Sequence, residues 1–190
     1  HWFYHKNKLP WDLSQSYTRP EYELMDYHKK NDIGFYLPNL ASFFKVQYGN
    51  DIKVNTQKKN SGSSVSIIWS IETPDGKIER ERIWNEESYS WECGEFPLST
   101  LSELKILEYA LTSRNFLPEW DNYNAWKNYI GDHGVIYIGT GYSAIGYLLH
   151  YWMGIEKTLF ASYDMPEELL KIVDNINENN LKLIDLLCDS

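Results

Sequence analysis

A glycine-rich segment in the last third of the chain has the residue types of a ligand-binding turn. Gly139, Gly141 and Gly146 lie between an apolar stretch typical of a strand and a stretch typical of a helix. Backbone amides at such a turn can bind an anion. The spacing is GxGxxxxG and not the dinucleotide fingerprint, so a tight structural turn stays open as the alternative. Tyr142 and Ser143, inside this turn, are predicted to contact a substrate.

Aromatic and charged residues at the N-terminus form a second candidate. Trp2, Phe3 and Tyr4 are followed by Lys6, and Phe3 and Lys6 are predicted to contact an anionic ligand. Packing of these aromatic residues in a core is the alternative interpretation.

A third candidate is an acidic and aromatic loop, which would suit a carbohydrate site with paired carboxylates. A solvated acidic loop beside packed tryptophans is the alternative. The residues concerned are Trp84, Glu86, Glu87, Trp91, Glu92 and Glu95.

The histidines predict no metal site, because none occurs in an HExxH motif or near a cysteine. The residues alone identify no catalytic group.

The elements that would position these residues alternate between helix and strand. The sequence predicts strands over IGFYL, DIKVNTQ and GVIYIG, with DIKVNTQ half-buried. It predicts helices over EYELMDYHKK, LSELKILEYALTSR and DNYNAWKNYIGD, and a short helix with a Gly-Asn turn over NLASFFKVQYGN. After GVIYIG come the glycine-rich turn and three consecutive helical segments. This order indicates an α/β fold.

Local signals fix several boundaries. Pro74-Asp75-Gly76 between VSIIWSIET and KIERERIW predicts a β-hairpin, exposed because its second strand is charged. Thr100 and Glu103 have the spacing of a capping box, and Asp164 and Glu167 repeat that spacing before the last helix.

The pattern predicts one partial domain. Residues 1–63 would form the first α/β elements, 64–98 a β-hairpin insertion with its loop, and 99–190 further α/β elements that end in a long helix. The chain begins with His and stops after a helix with no strand following, so we expect it to be a fragment of a longer protein.

Composition excludes some partners and compartments. The formal net charge is −9, and no stripe of Lys and Arg is present, so nucleic acid is not an expected partner. Two distant cysteines, Cys93 and Cys188, suit a reducing compartment, and we expect the cytoplasm. No apolar run approaches the roughly 20 residues needed to span a bilayer, and no membrane partner is expected.

The tail IGTGYSAIGYLLHYWMGIEKTLFASYDMPEELLKIVDNINENNLKLI resembles a segment of the uroporphyrinogen decarboxylase and corrinoid methyltransferase superfamily. Shared features are a strand, a glycine-rich turn, a helix, a G-x-E step and a P-E that opens a helix. IETPDGKIERERIW resembles a T-P-x-G hairpin of methyltransferase-like members, and HWFYHKNKLPWDLSQSY occupies the place of the first strand. The resemblance implies the N-terminal portion of a (β/α)8 TIM-type barrel with a β-hairpin insertion. Residues just past a barrel strand line the active face, which favours Tyr142 and Ser143.

The resemblance also implies a choice of reaction. Decarboxylases of tetrapyrroles carry an arginine-rich RQAGRY motif, whose guanidinium groups bind substrate carboxylates. At the place of that motif this chain has YHKNKLPW. We therefore expect the full-length protein to be a corrinoid methyltransferase-like enzyme rather than a true decarboxylase, which is a lyase. Zinc ligands of the methyltransferases lie in the second half of the barrel.

We therefore expect no cofactor in this fragment, with zinc and corrinoid possible for the full-length parent, and no activity from the fragment alone. The expected substrate is a small molecule, either a tetrapyrrole or a methyl donor. Exposed edges of a half barrel predict self-association or pairing with the C-terminal half. Alternative functions are true uroporphyrinogen decarboxylation, a non-enzymatic sugar- or peptide-binding module, and a glycosidase with two carboxylates at strand ends.

Overall fold

The computed structural model describes residues 19–39, 43–61, 64–88 and 90–188. The helices are α1 (Arg19–Lys30), α2 (Leu101–Thr112), α3 (Trp120–Ile130), α4 (Ala144–Tyr147), α5 (Gly154–Asp164) and α6 (Pro166–Cys188). The strands are β1 (Phe35–Asn39), β2 (Phe44–Gln47), β3 (Lys53–Ser61), β4 (Ser64–Thr73), β5 (Gly76–Asn85), β6 (Ser90–Cys93), β7 (Asn115–Pro118) and β8 (Gly134–Ile138). The structure contains both helices and strands, which is compatible with the predicted α/β class.

The chain divides into two compact units. The first contains residues 1–45 and 117–140, and the second contains residues 46–116 and 141–190. The boundaries between the units lie between residues 45 and 46 in β2, between residues 116 and 117 in β7, and between residues 140 and 141. β2 and β7 pair as a two-stranded sheet.

The first unit contains a parallel pair of strands that are far apart on the chain, with six other described strands and two described helices between them in sequence. β1 runs parallel to β8, from Phe35 opposite Gly134 to Asn39 opposite Ile138. One face of β8 packs through Ile136 and Ile138 against a small apolar cluster. The buried members of this cluster are Met25, Phe43, Trp126 and Ile130. The predicted strands IGFYL and GVIYIG are thus confirmed as strands.

The second unit contains an antiparallel sheet of four strands in the order β3-β4-β5-β6. The predicted hairpin is confirmed: β4 and β5 pair antiparallel from Ser66 opposite Ile83 to Thr73 opposite Gly76. Gly76 has a φ of +146°, which non-glycine residues rarely adopt. β3 also pairs antiparallel with β4, so the sheet begins at Lys53.

Helices α2 and α6 cover this sheet unit's main core. The predicted capping box begins α2, because Thr100 Oγ1 accepts from the Glu103 amide and the Glu103 carboxylate accepts from the Thr100 amide. The apolar stripe of α6 buries Leu169, Ile172 and Ile176 in the same core. A five-residue π-helical turn over Leu148–Trp152 follows α4.

Three local predictions were wrong. Within NLASFFKVQYGN, residues 44–47 form the strand β2 instead of a helix, because they pair with β7, and residues 40–42 lie outside the described residues. Asp164 does not cap the last helix, since it ends α5 and α6 begins at Pro166. In DIKVNTQ, Ile52 is buried just before β3 begins, but β3 is exposed from residue 53 to residue 60 and not half-buried, so Val54 and Thr56 do not lie on a buried face.

Candidate functional site

A half-buried arginine on the antiparallel sheet is the centre of the candidate site. Arg80 lies on β5 directly opposite Trp69 of β4, and its guanidinium carbon lies 4.1 Å from the Trp69 ring centroid. Ile78, two residues earlier and therefore on the same face, is buried in the core. The charged strand is thus not the exposed element that the sequence predicted, because this face packs inside the unit.

The π-helical turn supplies further rings around Arg80. The guanidinium carbon lies 4.6 Å from the Tyr151 ring centroid and 5.7 Å from that of Trp152. Trp152 is fully buried, and its backbone oxygen accepts from the amide of Leu98. Trp152 is therefore fixed by the core, and the three rings pack around the Arg80 guanidinium.

Arg80 has no acceptor for its N–H groups among the described residues. Its Nε is fully buried without a hydrogen-bond partner, whereas the two terminal nitrogens are not counted among such buried atoms. The ion pairs that the structure describes involve lysines and not Arg80. The terminal nitrogens of this half-buried guanidinium are thus open to an outside acceptor, whereas Nε is not.

Arg82 stands beside Arg80 on the same face of β5. Its guanidinium donates to the backbone oxygen of His150 at 3.2 Å and lies 5.4 Å from the Tyr151 ring. A longer contact of 3.5 Å joins it to the Trp91 backbone oxygen. Arg82 therefore connects the π-helical turn to the sheet and adds a second positive charge.

The electrostatic surroundings of the site contain cations and tyrosines. Burial lowers the pKa of Arg80, Tyr147 and Tyr151 raise it, and Arg82 lowers it further. Burial likewise raises the pKa of Tyr151, and Tyr142 adds to that shift. No carboxylate acts on Arg80 among these groups. The site would therefore favour an anion.

Tyr142, predicted from the sequence, lies at the border of this cluster. Its ring centroid is 4.5 Å from that of His150 and 5.7 Å from that of Tyr151, and its side chain is 47% exposed. The structure thus brings Tyr142 together with the arginines and rings of the second unit. Whether it contacts a substrate stays a prediction.

Ser143, the second predicted residue of the turn, is the N-cap of a helix. Its hydroxyl accepts from the Gly146 amide at 3.3 Å and caps α4. Gly141 has a φ of +88° in the preceding turn. The predicted contacts of Phe3 and Lys6 lie outside the described residues.

The acidic and aromatic loop is held by its own contacts. The Trp84 and Trp91 rings pack edge to face at 5.3 Å across β5 and β6. Glu92 accepts from Asn85 and Ser88. These contacts agree with packed tryptophans beside a solvated loop, and a carbohydrate site stays a prediction.

An open cavity of about 490 Å³ lies over α2 and α6. Its walls carry both carboxylates and ammonium groups, among them Glu108, Glu178, Lys105 and Lys182. Glu108 already accepts from Asn175 at 2.5 Å. Mixed charges favour no single class of ligand, so this cavity is a weaker candidate than the arginine site.

Metal ligands do not come together in the described part of the chain, where no three His, Cys, Asp or Glu side chains form a group that could hold an ion. Cys93 and Cys188 are free thiols. The described residues therefore do not fit a zinc site. No described helix is long and apolar enough to cross a membrane.

Sequence reasoning missed Arg80 and Arg82 as site residues. The alternation in KIERERI could have indicated them, because it places Arg80 and Arg82 on the same strand face as the apolar Ile78. Trp69 faces Arg80 across the hairpin, but the rings of Tyr151 and Trp152 come from a segment about 70 residues later, and only folding brings this segment to the arginines.

The chain matches no protein-family model, and no curated protein or solved structure is significantly similar to it.

Proposed function

We propose that this chain is the N-terminal part of a (β/α)8 barrel of the uroporphyrinogen decarboxylase and corrinoid methyltransferase superfamily, and that its parent is a methyltransferase-like enzyme. The observation that carries the proposal is the parallel pairing of β1 with β8, which has one packed face and one open face. Neighbouring strands of such a barrel run parallel, as β1 and β8 do, although six other described strands lie on the chain between this pair.

The two faces of β8 differ sharply. Ile136 and Ile138 pack against the cluster around Trp126, a residue of the helix α3. Val135 and Tyr137 alternate with them and are 66% and 59% exposed. In a closed barrel one face of each strand meets the helices and the other fills the interior. An open apolar face on β8 is what a strand of an incomplete barrel would present.

The reaction is chosen by the sequence resemblance, because a fold alone does not determine chemistry. The hairpin around Gly76 resembles that of methyltransferase-like members, and the arginine motif of true decarboxylases is absent from YHKNKLPW. On this proposal the substrate is a methyl donor, the protein is cytoplasmic, and zinc and corrinoid bind with residues outside this chain. The chain alone is inactive and pairs with the remaining half or with itself.

The test is methyl transfer after complementation. The chain would be co-expressed with the polypeptide encoded downstream of Ser190, and the purified pair would be assayed for methyl transfer from methylcobalamin to a thiol, with zinc added. We expect activity from the pair and none from either half. Decarboxylation of a porphyrinogen by the pair would favour the lyase. Saturable oligosaccharide binding by the single chain, without corrinoid binding by the pair, would favour a binding module.

A further inference from the structure

We propose that the terminal nitrogens of Arg80 bind the carboxylate of a small organic anion, which lies beside the rings of Trp69 and Tyr151 and near the charge of Arg82. This site belongs to the antiparallel sheet and does not depend on the barrel reaction proposed above.

The geometry suits a planar, two-pronged acceptor. A guanidinium presents five N–H groups in a fixed fork that matches the two oxygens of a carboxylate. Ring faces at 4.1 Å and 4.6 Å hold Arg80 in place. Since the fork is immobilised before a ligand arrives, little conformational entropy is lost on binding.

The charge of the site calls for an anion. Three arginines in this unit are half-buried, although the whole chain has a formal net charge of −9. Arg114 is already satisfied, because it donates to Asn180 and to the Leu111 backbone oxygen. Arg82 also has backbone acceptors, and only Arg80 has none. A half-buried cation without a counter-charge is costly, and a bound carboxylate would offset part of that cost.

Cation–π contacts do not replace the missing hydrogen-bond acceptors of Arg80. Rings stabilise the faces of a guanidinium and accept no hydrogen bond at its edge. The edge of Arg80 therefore still needs oxygen acceptors. The apolar ring surfaces suit the organic part of a carboxylate ligand better than an inorganic phosphate, which has no such part.

Titration calorimetry of the full chain with four probes would test the proposal, with tryptophan fluorescence as a second readout. The probes are benzoate, its neutral analogue benzamide, acetate and inorganic phosphate. We expect saturable binding of benzoate, weaker binding of acetate and none of benzamide. Phosphate binding as tight as that of benzoate, or no benzoate binding at all, would overturn the proposal.

Variants locate the site. Arg80→Lys keeps the charge but loses the fork, so benzoate affinity should fall about tenfold or more. Arg114→Lys is the matched control, since this half-buried arginine already has protein acceptors, and benzoate affinity should not change. Thermal melts would establish that both variants fold. If Arg80→Lys does not fold, Tyr151→Leu replaces it and should weaken benzoate more than acetate. Unchanged benzoate affinity in the folded Arg80→Lys protein would refute the assignment, as would an equal loss in Arg114→Lys.

Discussion

Two charged side chains of this protein, Arg80 and Glu103, differ in their hydrogen-bond partners. Arg80 is half-buried, its Nε is buried without an acceptor, and burial lowers the pKa of its guanidinium. Glu103 is in the opposite situation. Burial by itself raises the pKa of Glu103, but the amides of Ser99 and Thr100, the Thr100 hydroxyl and the charge of Lys157 lower it overall. The Glu103 carboxylate accepts hydrogen bonds that stabilise a helix. The Arg80 guanidinium makes no hydrogen bond to a described residue, so its terminal nitrogens can donate to a ligand.

The pH dependence of stability should report on Glu103. Its folded-state pKa lies below the unfolded value, so its contribution is present above the unfolded pKa and is lost as pH falls through the folded pKa. Glu103→Ala should therefore lower the free energy of unfolding by up to about 1 kcal/mol at pH 7, because the group is partly solvated. The difference from the unmutated protein should shrink towards pH 3.

Urea denaturation at pH 7 and pH 3 would measure this change. Ser113→Ala is an uncharged control at the other end of the same helix, where the hydroxyl donates to the Ala110 backbone oxygen. Its cost should be similar at both pH values. A Glu103→Ala difference that is as large at pH 3 as at pH 7 would contradict the assigned role of the charge.

At the scale of elements, the β4–β5 turn is held against helix α2. A Cβ atom added at Gly76 would come within 2.8 Å of Ile106 Cδ1, and the φ of +146° is itself unfavourable for other residues. The nearest atom is the end of an Ile side chain, which a smaller residue lacks. Gly76 is thus favoured for two reasons: its positive φ, and the lack of space for a Cβ atom beside Ile106.

A double-mutant cycle separates these two causes. We expect Gly76→Ala to lower the free energy of unfolding by about 1–3 kcal/mol through backbone strain and crowding. Ile106→Val should cost about 0.5–1.5 kcal/mol. The double variant should lose less than the sum of the two, because Val lacks Cδ1. Denaturant midpoints of the four proteins give the coupling, and simple additivity would show that crowding does not contribute.

At the scale of the whole molecule, each of the two units has an apolar core of its own. The smaller unit also has the open face of β8, where Val135 and Tyr137 are exposed. Exposed apolar sheet surfaces tend to associate. This property bears directly on the proposed incomplete barrel, since the same face would become interior on pairing with a second half.

Self-association should therefore depend on β8. We expect light scattering to show oligomers whose mass rises with protein concentration, and Val135→Lys to shift them towards monomers because a charge on this face opposes burial. Ile155→Lys is the control, since Ile155 is 79% exposed on α5 in the other unit. A monodisperse monomer at high concentration, or an equal effect of both variants, would argue against association through β8.

The sequence by itself determined features that depend on a few neighbouring residues. It predicted the hairpin at Pro74-Asp75-Gly76, the capping box at Thr100 and the α/β class, because turn chemistry, helix caps and hydrophobic periodicity act locally. It was wrong about β2, where pairing with a strand about 70 residues away prevails over local helix signals.

Only the tertiary structure decided where charge and rings meet. Arg80 and Tyr151 are 71 positions apart, and the sequence assigned the charged strand to an exposed hairpin. Packing of the π-helical turn against β5 buries the guanidinium and surrounds it with aromatic rings. The exposure of Val135 beside the packed Ile136 also follows from what covers each face of β8. Such long-range contacts arise from the packing of distant segments, which no local pattern of residues encodes.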